Sequence, residues 1–209
     1  MTRPAIRGWP TTLEEGPVGL RPIRRRDRQA WVEVRGRNFE WLSRWEATPP
    51  RDGKPLAFPG MVRNLTAQAR RGQMMPFVVT YEGRLVGQLT VGGITWGSLC
   101  AAHVGYWVDQ AVAGRGVMPT AVALVTDHCF GTVGLHRIEI NIRPENTASL
   151  RVVEKLGFRD EGLRRSFLHI DGAWRDHRAF ALTAEELPPG GLLSRWRASQ
   201  SHESHSSQD

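Results

Sequence analysis

RPENTASLRVVEKLGF, residues 143–158, carries both the start signal and the stop signal of one short helix. Asn146 comes just before the helical pattern, where its side chain can accept a hydrogen bond from an unpaired backbone N–H of the first turn. Gly157 follows the last patterned residue, and glycine in that position ends a helix at little steric cost. The stretch therefore predicts a helix over residues 146–157, directly after a strand at 136–142.

A second stretch, VDQAVAGRGVMPTAV at residues 108–122, places Gly114 and Gly116 between a strand pattern and a helix pattern. Pro119 suits the first turn of a helix, because its missing N–H is not needed there. Free N–H groups at the start of a helix can hold a phosphate. Both well-known phosphate loops need a glycine at the position of Pro119, so neither of them matches. These residues alone leave two hypotheses open, an anion site and an ordinary strand-to-helix turn.

The order of strand and helix patterns along the chain predicts one α+β domain with a mixed central sheet. We expect about six to seven strands flanked by about four to five helices. Residues 1–17 are predicted to form an N-terminal arm, 18–187 the domain, and 188–209 a tail that is disordered from about residue 199. The predicted strands lie at 18–23, 101–108, 136–142, 158–170 and 173–182 and in a hairpin at 76–96, and the predicted helices at 27–38, 39–45, 60–71, 119–129 and 146–157.

The formal net charge of +7 favours acidic ligands, which include a phosphorylated cofactor and RNA. The arginines at 21–28 fit either a solvated edge or an RNA contact. No apolar run approaches the roughly 20 residues of a membrane helix, so a cytoplasmic protein without a membrane partner is expected. Cys100 and Cys129 lack the spacing of metal ligands, so neither a metal nor a disulfide is expected.

The helix at 143–158, downstream of the glycine loop, closely resembles the GNAT superfamily of acyl-CoA-dependent N-acetyltransferases. Within that superfamily, the pattern N-x-x-S-x-x-x-x-E-K-L-G-F is similar to the branch that acetylates the N-terminal alanine or serine of ribosomal proteins. The resemblance covers about residues 20–182. It implies a GNAT fold, in which the strands at 103–108 and 136–142 splay into a V-shaped cleft for the pantetheine arm of acetyl-CoA. The glycine loop would then wrap the pyrophosphate.

The resemblance also implies which residues contact acetyl-CoA. They are Trp107, Val108, Ala113, Gly114, Arg115, Gly116, Val117, Met118, Asn146 and Ser149. Ala113 and Met118 depart from the loop pattern of the family, which has a basic or amide residue at one end and glycine or alanine at the other. Arg115 can supply the missing charge or point into solvent.

The resemblance implies that a hydroxyl group stabilises the leaving thiolate of coenzyme A. Many family members use a tyrosine in the motif helix, but the aligned residue here is Val153. The ribosomal-protein branch instead places a serine near the sulfur, and Ser149 occupies that position. Its hydroxyl can donate a hydrogen bond to the thiolate. Because Asn146 and Ser149 also fit a capped helix start, a purely structural role is the alternative.

Three possibilities remain open for the general base. The glutamate of the branch aligns with Leu168, which cannot accept a proton. Glu139 beside the cleft and His103 on the cleft strand are candidates, although Glu139 also fits an ion pair with Arg137 and His103 a structural histidine. A proton path through water alone is the third possibility.

The resemblance implies transfer of an acetyl group from acetyl-CoA to a primary amine, by direct attack in a ternary complex. The implied acceptor is the N-terminal α-amino group of a ribosomal protein, whose pKa of about 7.7–8.0, against about 10.4 for lysine, demands little help from a base. A small amine such as a polyamine, an amino sugar or an antibiotic is the alternative acceptor, and a catalytically weak acyl-CoA-binding module is the alternative class. Trp41 and Trp45 are candidates for the acceptor pocket or for helix packing. Ribosome association, and either a monomer or a homodimer, are compatible with the sequence.

Overall fold

The structure is a computed structural model that describes residues 6–50 and 56–205, with side chains through Ser201. Within these residues the chain forms eight strands and six α-helices. The strands are β1 (Leu13–Glu15), β2 (Val18–Pro22), β3 (Met75–Tyr81), β4 (Arg84–Thr95), β5 (Ala101–Val108), β6 (Arg137–Ile142), β7 (Arg159–Ile170) and β8 (Ala173–Thr183). The helices are α1 (Arg28–Arg37), α2 (Phe39–Ser43), α3 (Phe58–Arg70), α4 (Val117–His128), α5 (Thr147–Leu156) and α6 (Gly191–His205).

All eight strands join one sheet in the order β1-β2-β3-β4-β5-β6-β8-β7. Neighbouring strands are antiparallel except for β5 and β6, which are parallel. The predicted α+β fold with a mixed sheet is confirmed.

The strand count exceeds the expected six to seven because β1 forms within residues 1–17, which were predicted to be an arm. A strand of three residues is too short to show a period in the sequence. Residues 1–5 lie outside the described part of the chain.

The parallel strands β5 and β6 pair only where they begin. Their register runs from Ala101 opposite Arg137 to His103 opposite Glu139, and the remaining residues of the two strands are not paired with each other. On its other edge β5 stays paired with β4 as far as Val108. The expected V-shaped splay is therefore present. It leaves backbone N–H and C=O groups on facing strand edges, which must find other partners.

The sheet separates two apolar layers, because strand side chains alternate between its faces. Ile138, Ile140 and Ile142 are buried on the face covered by α4, α5 and α6. The other face packs against α1 and α3 through residues such as Val34 and Phe58. The alternation of isoleucines in β6 thus sends Glu139 and its neighbour Asn141 to the opposite face from the motif helix.

Helix α6 packs against α4 and α5, although a disordered tail from about residue 199 was predicted. Leu192 and Trp196 are buried, and the indole N–H of Trp196 donates to Thr120 Oγ1 at 2.8 Å. The carboxylate of Asp127 accepts the backbone N–H of Leu192 at 2.7 Å, at the start of α6. The structure thus continues α6 to His205, where the sequence predicted a disordered tail, and residues 206–209 lie outside the described chain. Among the described helices, none is long and apolar enough to cross a membrane.

Candidate active site

A cavity of about 500 Å³ lies at the carboxyl end of β5, within the size range of small-molecule and cofactor sites. Its walls come from the end of β5, the loop that follows, the first turns of α4 and α5, the α1–α2 region and α6. The structure brings together in this wall all the residues that the sequence predicted to contact acetyl-CoA. They are Trp107, Val108, Ala113, Gly114, Arg115, Gly116, Val117, Met118, Asn146 and Ser149.

The glycine loop presents the start of α4 to this cavity. Gly114 and Gly116 have φ angles of +80° and +74°, in the left-handed region that glycine adopts without strain. Gly116 directly precedes α4, and its carbonyl accepts the first helical hydrogen bond, from the backbone N–H of Thr120. The N–H groups of Val117 and Met118 have no partner within the helix, as is general for a first turn. Together with the positive end of the helix dipole, they have the chemistry that suits an anion.

A buried carboxylate fixes the end of β5 to the α1–α2 junction. Asp109 is 3% exposed and accepts hydrogen bonds from Arg37 Nε at 3.1 Å, Asn38 Nδ2 at 2.8 Å and the backbone N–H of Ala111 at 3.2 Å. Asn38 Oδ1 in turn accepts the backbone N–H of Gln110 at 2.9 Å. Burial alone would raise the pKa of Asp109, but these hydrogen bonds hold it below its ordinary value. No local pattern in the sequence predicts this anchor, because its partners lie about seventy positions upstream.

We expect the Asp109→Asn variant to lose about 2 kcal/mol of unfolding free energy at neutral pH, the scale of hydrogen bonds to a buried charged group. Because the folded-state pKa of Asp109 is lowered, its contribution is present above the unfolded pKa of about 3.9 and is lost as the pH falls through the folded pKa. In urea unfolding, the difference in unfolding free energy between the wild-type protein and the variant should therefore narrow as the pH falls through the unfolded and then the folded pKa of Asp109. The matched control is Asp160→Asn, which removes an exposed pair with Arg178 and should cost under about 1 kcal/mol. Equal losses from both variants would contradict the anchor.

The first turn of α5 carries the hydroxyl that the sequence singled out. Asn146 Oδ1 accepts the backbone N–H of Ser149 at 3.1 Å, so the predicted helix cap is confirmed. The cap uses only the backbone of Ser149, which leaves the hydroxyl free to act elsewhere. On the facing strand β5, the Tyr106 hydroxyl is buried beside it and has no hydrogen-bond partner of normal geometry among the described residues. Val153, in the tyrosine position of the family, is fully buried.

Neither candidate base lines the cavity. Glu139 accepts hydrogen bonds from Arg137 Nε at 2.9 Å and from Arg164 Nη2 at 2.8 Å. Burial would raise the pKa of Glu139, but these two guanidinium groups hold it below its ordinary value, which makes the carboxylate a weaker base. The His103 ring lies over the backbone of Gly92. Lost hydration lowers the pKa of His103 more than the nearby Glu139 raises it. Their role as base stays a prediction.

The wall opposite the glycine loop is aromatic. Trp41 and Trp45 both line the cavity, as does Glu46, although α2 ends at Ser43 and Trp45 therefore lies beyond the helix. The Arg35 guanidinium lies 5.0 Å from the centroid of the Trp107 ring and forms an ion pair with Glu46. This wall therefore combines aromatic surface with one ion pair.

Residues 18–159 match the family model described as an acetyltransferase (GNAT) domain. Mycobacterium smegmatis RimJ, solved in complex with CoA-disulfide, is 44% identical with a TM-score of 0.87, over 93% of this chain and 97% of that one. The [Ribosomal protein uS5]-alanine N-acetyltransferase of Escherichia coli is 30% identical over 171 residues, which are 78% of this chain and 87% of that protein. YjcK of Bacillus subtilis, named as a probable N-acetyltransferase, is 43% identical over 101 residues, and this match spans 48% of the chain and 56% of that relative.

Proposed function

The chain belongs to the GNAT acetyltransferase family and is an acetyl-CoA-dependent acetyltransferase, and we propose that its acceptor is the N-terminal α-amino group of a ribosomal protein. The observation that carries this proposal is the continuity of the cavity, which has the glycine loop in one wall and the aromatic α1–α2 region in the other. Both substrates can therefore be held together, which supports direct attack of the amine on the thioester in a ternary complex.

The residues of the cavity fit acetyl-CoA. The backbone N–H groups of Val117 and Met118 suit the pyrophosphate, since they point out of the positive end of α4. Arg115 adds a positive charge on the loop. The unpaired edge of β5 at Trp107 and Val108 suits the amide groups of the pantetheine arm, which can then continue the sheet. When bound, the coenzyme supplies the activated acetyl group and a thiolate leaving group.

We assign to the Ser149 hydroxyl the role of donating a hydrogen bond to the leaving sulfur of coenzyme A. It lies at the start of α5, where the helix dipole favours a developing negative charge. Its hydrogen bond to the thiolate stabilises the charge that appears when the carbon–sulfur bond breaks. The structure offers no tyrosine at position 153 for this step, since Val153 stands there.

The chemistry of the site favours an α-amino group over a lysine side chain. A peptide α-amino group with a pKa of about 7.7–8.0 is substantially neutral near pH 7.5, whereas lysine with a pKa of about 10.4 is almost wholly protonated. Glu139 is held ionised by two arginines and lies outside the cavity lining, so strong base catalysis is not provided there. Water can accept the proton from an α-ammonium group at little cost. The Escherichia coli relative, named as a [ribosomal protein uS5]-alanine N-acetyltransferase, supports the same choice.

Peptides that differ only at their N terminus test this proposal. The purified protein is incubated with acetyl-CoA and with N-terminal peptides of ribosomal proteins that begin with alanine or serine and contain an internal lysine. Thiol release and the mass of the product are measured. We expect turnover on peptides with a free N terminus and none on the same peptides with a blocked N terminus. Equal turnover on blocked peptides, or turnover only with a small amine such as spermidine, would remove the assignment.

A further inference from the structure

The Tyr106 hydroxyl is a buried polar group without a satisfactory partner. It lies on β5, one residue before Trp107, and its side chain packs against the layer that contains α5. Its oxygen is inaccessible to solvent and makes no hydrogen bond of normal geometry within the described residues. Buried hydroxyl groups are almost always paired, so an unpaired one at the edge of a reaction cavity calls for an explanation.

The side chain that interacts with this hydroxyl is Ser149. Burial raises the pKa of Tyr106 well above its ordinary value, and the Ser149 hydroxyl lowers it only in part. Tyr106 therefore keeps its proton at any physiological pH and can act only as a neutral hydroxyl. The Asn146 cap fixes the backbone of Ser149 at 3.1 Å, so the Ser149 hydroxyl can move only by rotation about the Cα–Cβ bond. Both residues line the same cavity.

We propose that Tyr106 is a positioning residue, whose hydroxyl donates a hydrogen bond to Ser149 Oγ and so turns the Ser149 proton toward the coenzyme sulfur. The bond reaches normal geometry when the pantetheine arm fills the cleft, since hydrogen bonds at reaction centres often tighten only in the bound complex. This inference rests on the proposed function, in which Ser149 faces the leaving group.

Tyr106 keeps its proton throughout the reaction, and the atoms and charges balance without it. The amine nitrogen attacks the thioester carbonyl carbon, a carbon–nitrogen bond forms, and the carbon–sulfur bond breaks with its electron pair passing to sulfur. The proton lost by the nitrogen reaches the sulfur through solvent and yields the free thiol. Ser149 donates a hydrogen bond to the thiolate before that proton arrives. Accepting a bond from Tyr106 makes the Ser149 hydroxyl a stronger donor, because hydrogen bonds in a chain polarise one another.

A double-mutant cycle with Tyr106→Phe and Ser149→Ala tests the pair. Tyr106→Phe removes one oxygen and keeps the ring, so the fold is expected to be retained. We expect it to lower kcat about tenfold with the KM for acetyl-CoA within twofold of the wild-type value, but to change kcat less than twofold when Ser149 is already alanine. Tyr81→Phe is the matched control, because it removes the hydroxyl of the other tyrosine, on β3, and should leave kcat unchanged.

The second readout needs no acceptor. The pKa of the bound coenzyme A thiol is followed by the ultraviolet absorbance of the thiolate, and we expect Tyr106→Phe to raise it in the wild-type background and to leave it unchanged in Ser149→Ala. An equal effect of Tyr106→Phe in both backgrounds, or no effect in either, would overturn the pairing. A shift in the thiol pKa without turnover of any peptide would uphold the pairing and refute only the proposed acceptor.

Discussion

The Ser149→Ala variant is expected to bind acetyl-CoA as tightly as the wild-type protein and to turn over about 100-fold more slowly, the loss typical of removing one hydrogen-bond donor to a developing negative charge. The substitution removes the donor to the leaving sulfur but keeps the backbone N–H that Asn146 caps at 3.1 Å. The fold and the coenzyme site are therefore retained. Stopped-flow or steady-state thiol release with a saturating peptide gives kcat, and calorimetry gives the dissociation constant of acetyl-CoA.

The control for this prediction is Thr147→Ala, which removes another hydroxyl from the first turn of α5. Thr147 is exposed and does not line the cavity, so its variant should keep the wild-type kcat. A Ser149→Ala variant with kcat within twofold of the wild-type value would show that the leaving thiolate needs no hydrogen bond from Ser149. Ser149 would then be only a residue of the helix start.

Gly116→Val should weaken acetyl-CoA binding by about 100-fold. Gly116 has a φ of +74°, where a β-branched residue is strained by at least about 1–2 kcal/mol. A Cβ at this position would lie 3.0 Å from Gln200 Nε2 and 3.2 Å from Trp196 Cζ2, so these two side chains of α6 would have to shift by a few tenths of an ångström as well. Relief of that strain rotates the first amides of α4 away from the phosphate position. Calorimetric titration with acetyl-CoA measures the loss.

Gly83→Val is the matched control for Gly116→Val. Gly83 has a φ of +75° at the turn between β3 and β4, and a Cβ there would meet nothing within 4 Å. The two substitutions thus impose a similar backbone strain, one inside the coenzyme site and one outside it. Acetyl-CoA binding by Gly83→Val should stay within twofold of the wild-type value. Equal weakening by both variants would show that general destabilisation, and not the loop, is responsible.

The elements with a strong period were predictable from the sequence. The alternating isoleucines of β6 and the capped pattern of α5 predicted both elements to within a residue or two, and the residues predicted to contact acetyl-CoA in the glycine loop and the motif helix line one cavity. These signals are local, because caps, turns and periodicity depend on neighbours a few residues apart. β1 and α6 were not predicted, because neither element has a strong local pattern. β1 is too short for a period, and α6 is rich in serine and is held by contacts to Thr120 and Asp127 from far along the chain.

The parts of the site that the sequence did not predict depend on contacts between segments that lie far apart in the sequence. Asp109 is an anchor only because Arg37 and Asn38 reach it from the α1–α2 junction. Tyr106 gains a role only because the splay of β5 and β6 lets α5 place Ser149 beside its hydroxyl. Neither relation leaves a spacing in the sequence that could be recognised without the fold.

The packing of α6 across the glycine loop sets an order of events during synthesis. A ribosome making this chain adds Trp196 eighty residues after Gly116, so the newly made loop lacks the ring that later packs against it. All residues of the loop are therefore synthesised well before the Trp196 side chain that packs against it in the finished site. We expect acetyl-CoA to be a ligand of the finished chain and to stabilise it only once α6 has been made, by mass action on the folded form. A nascent chain that ends before Trp196 would gain no such stabilisation.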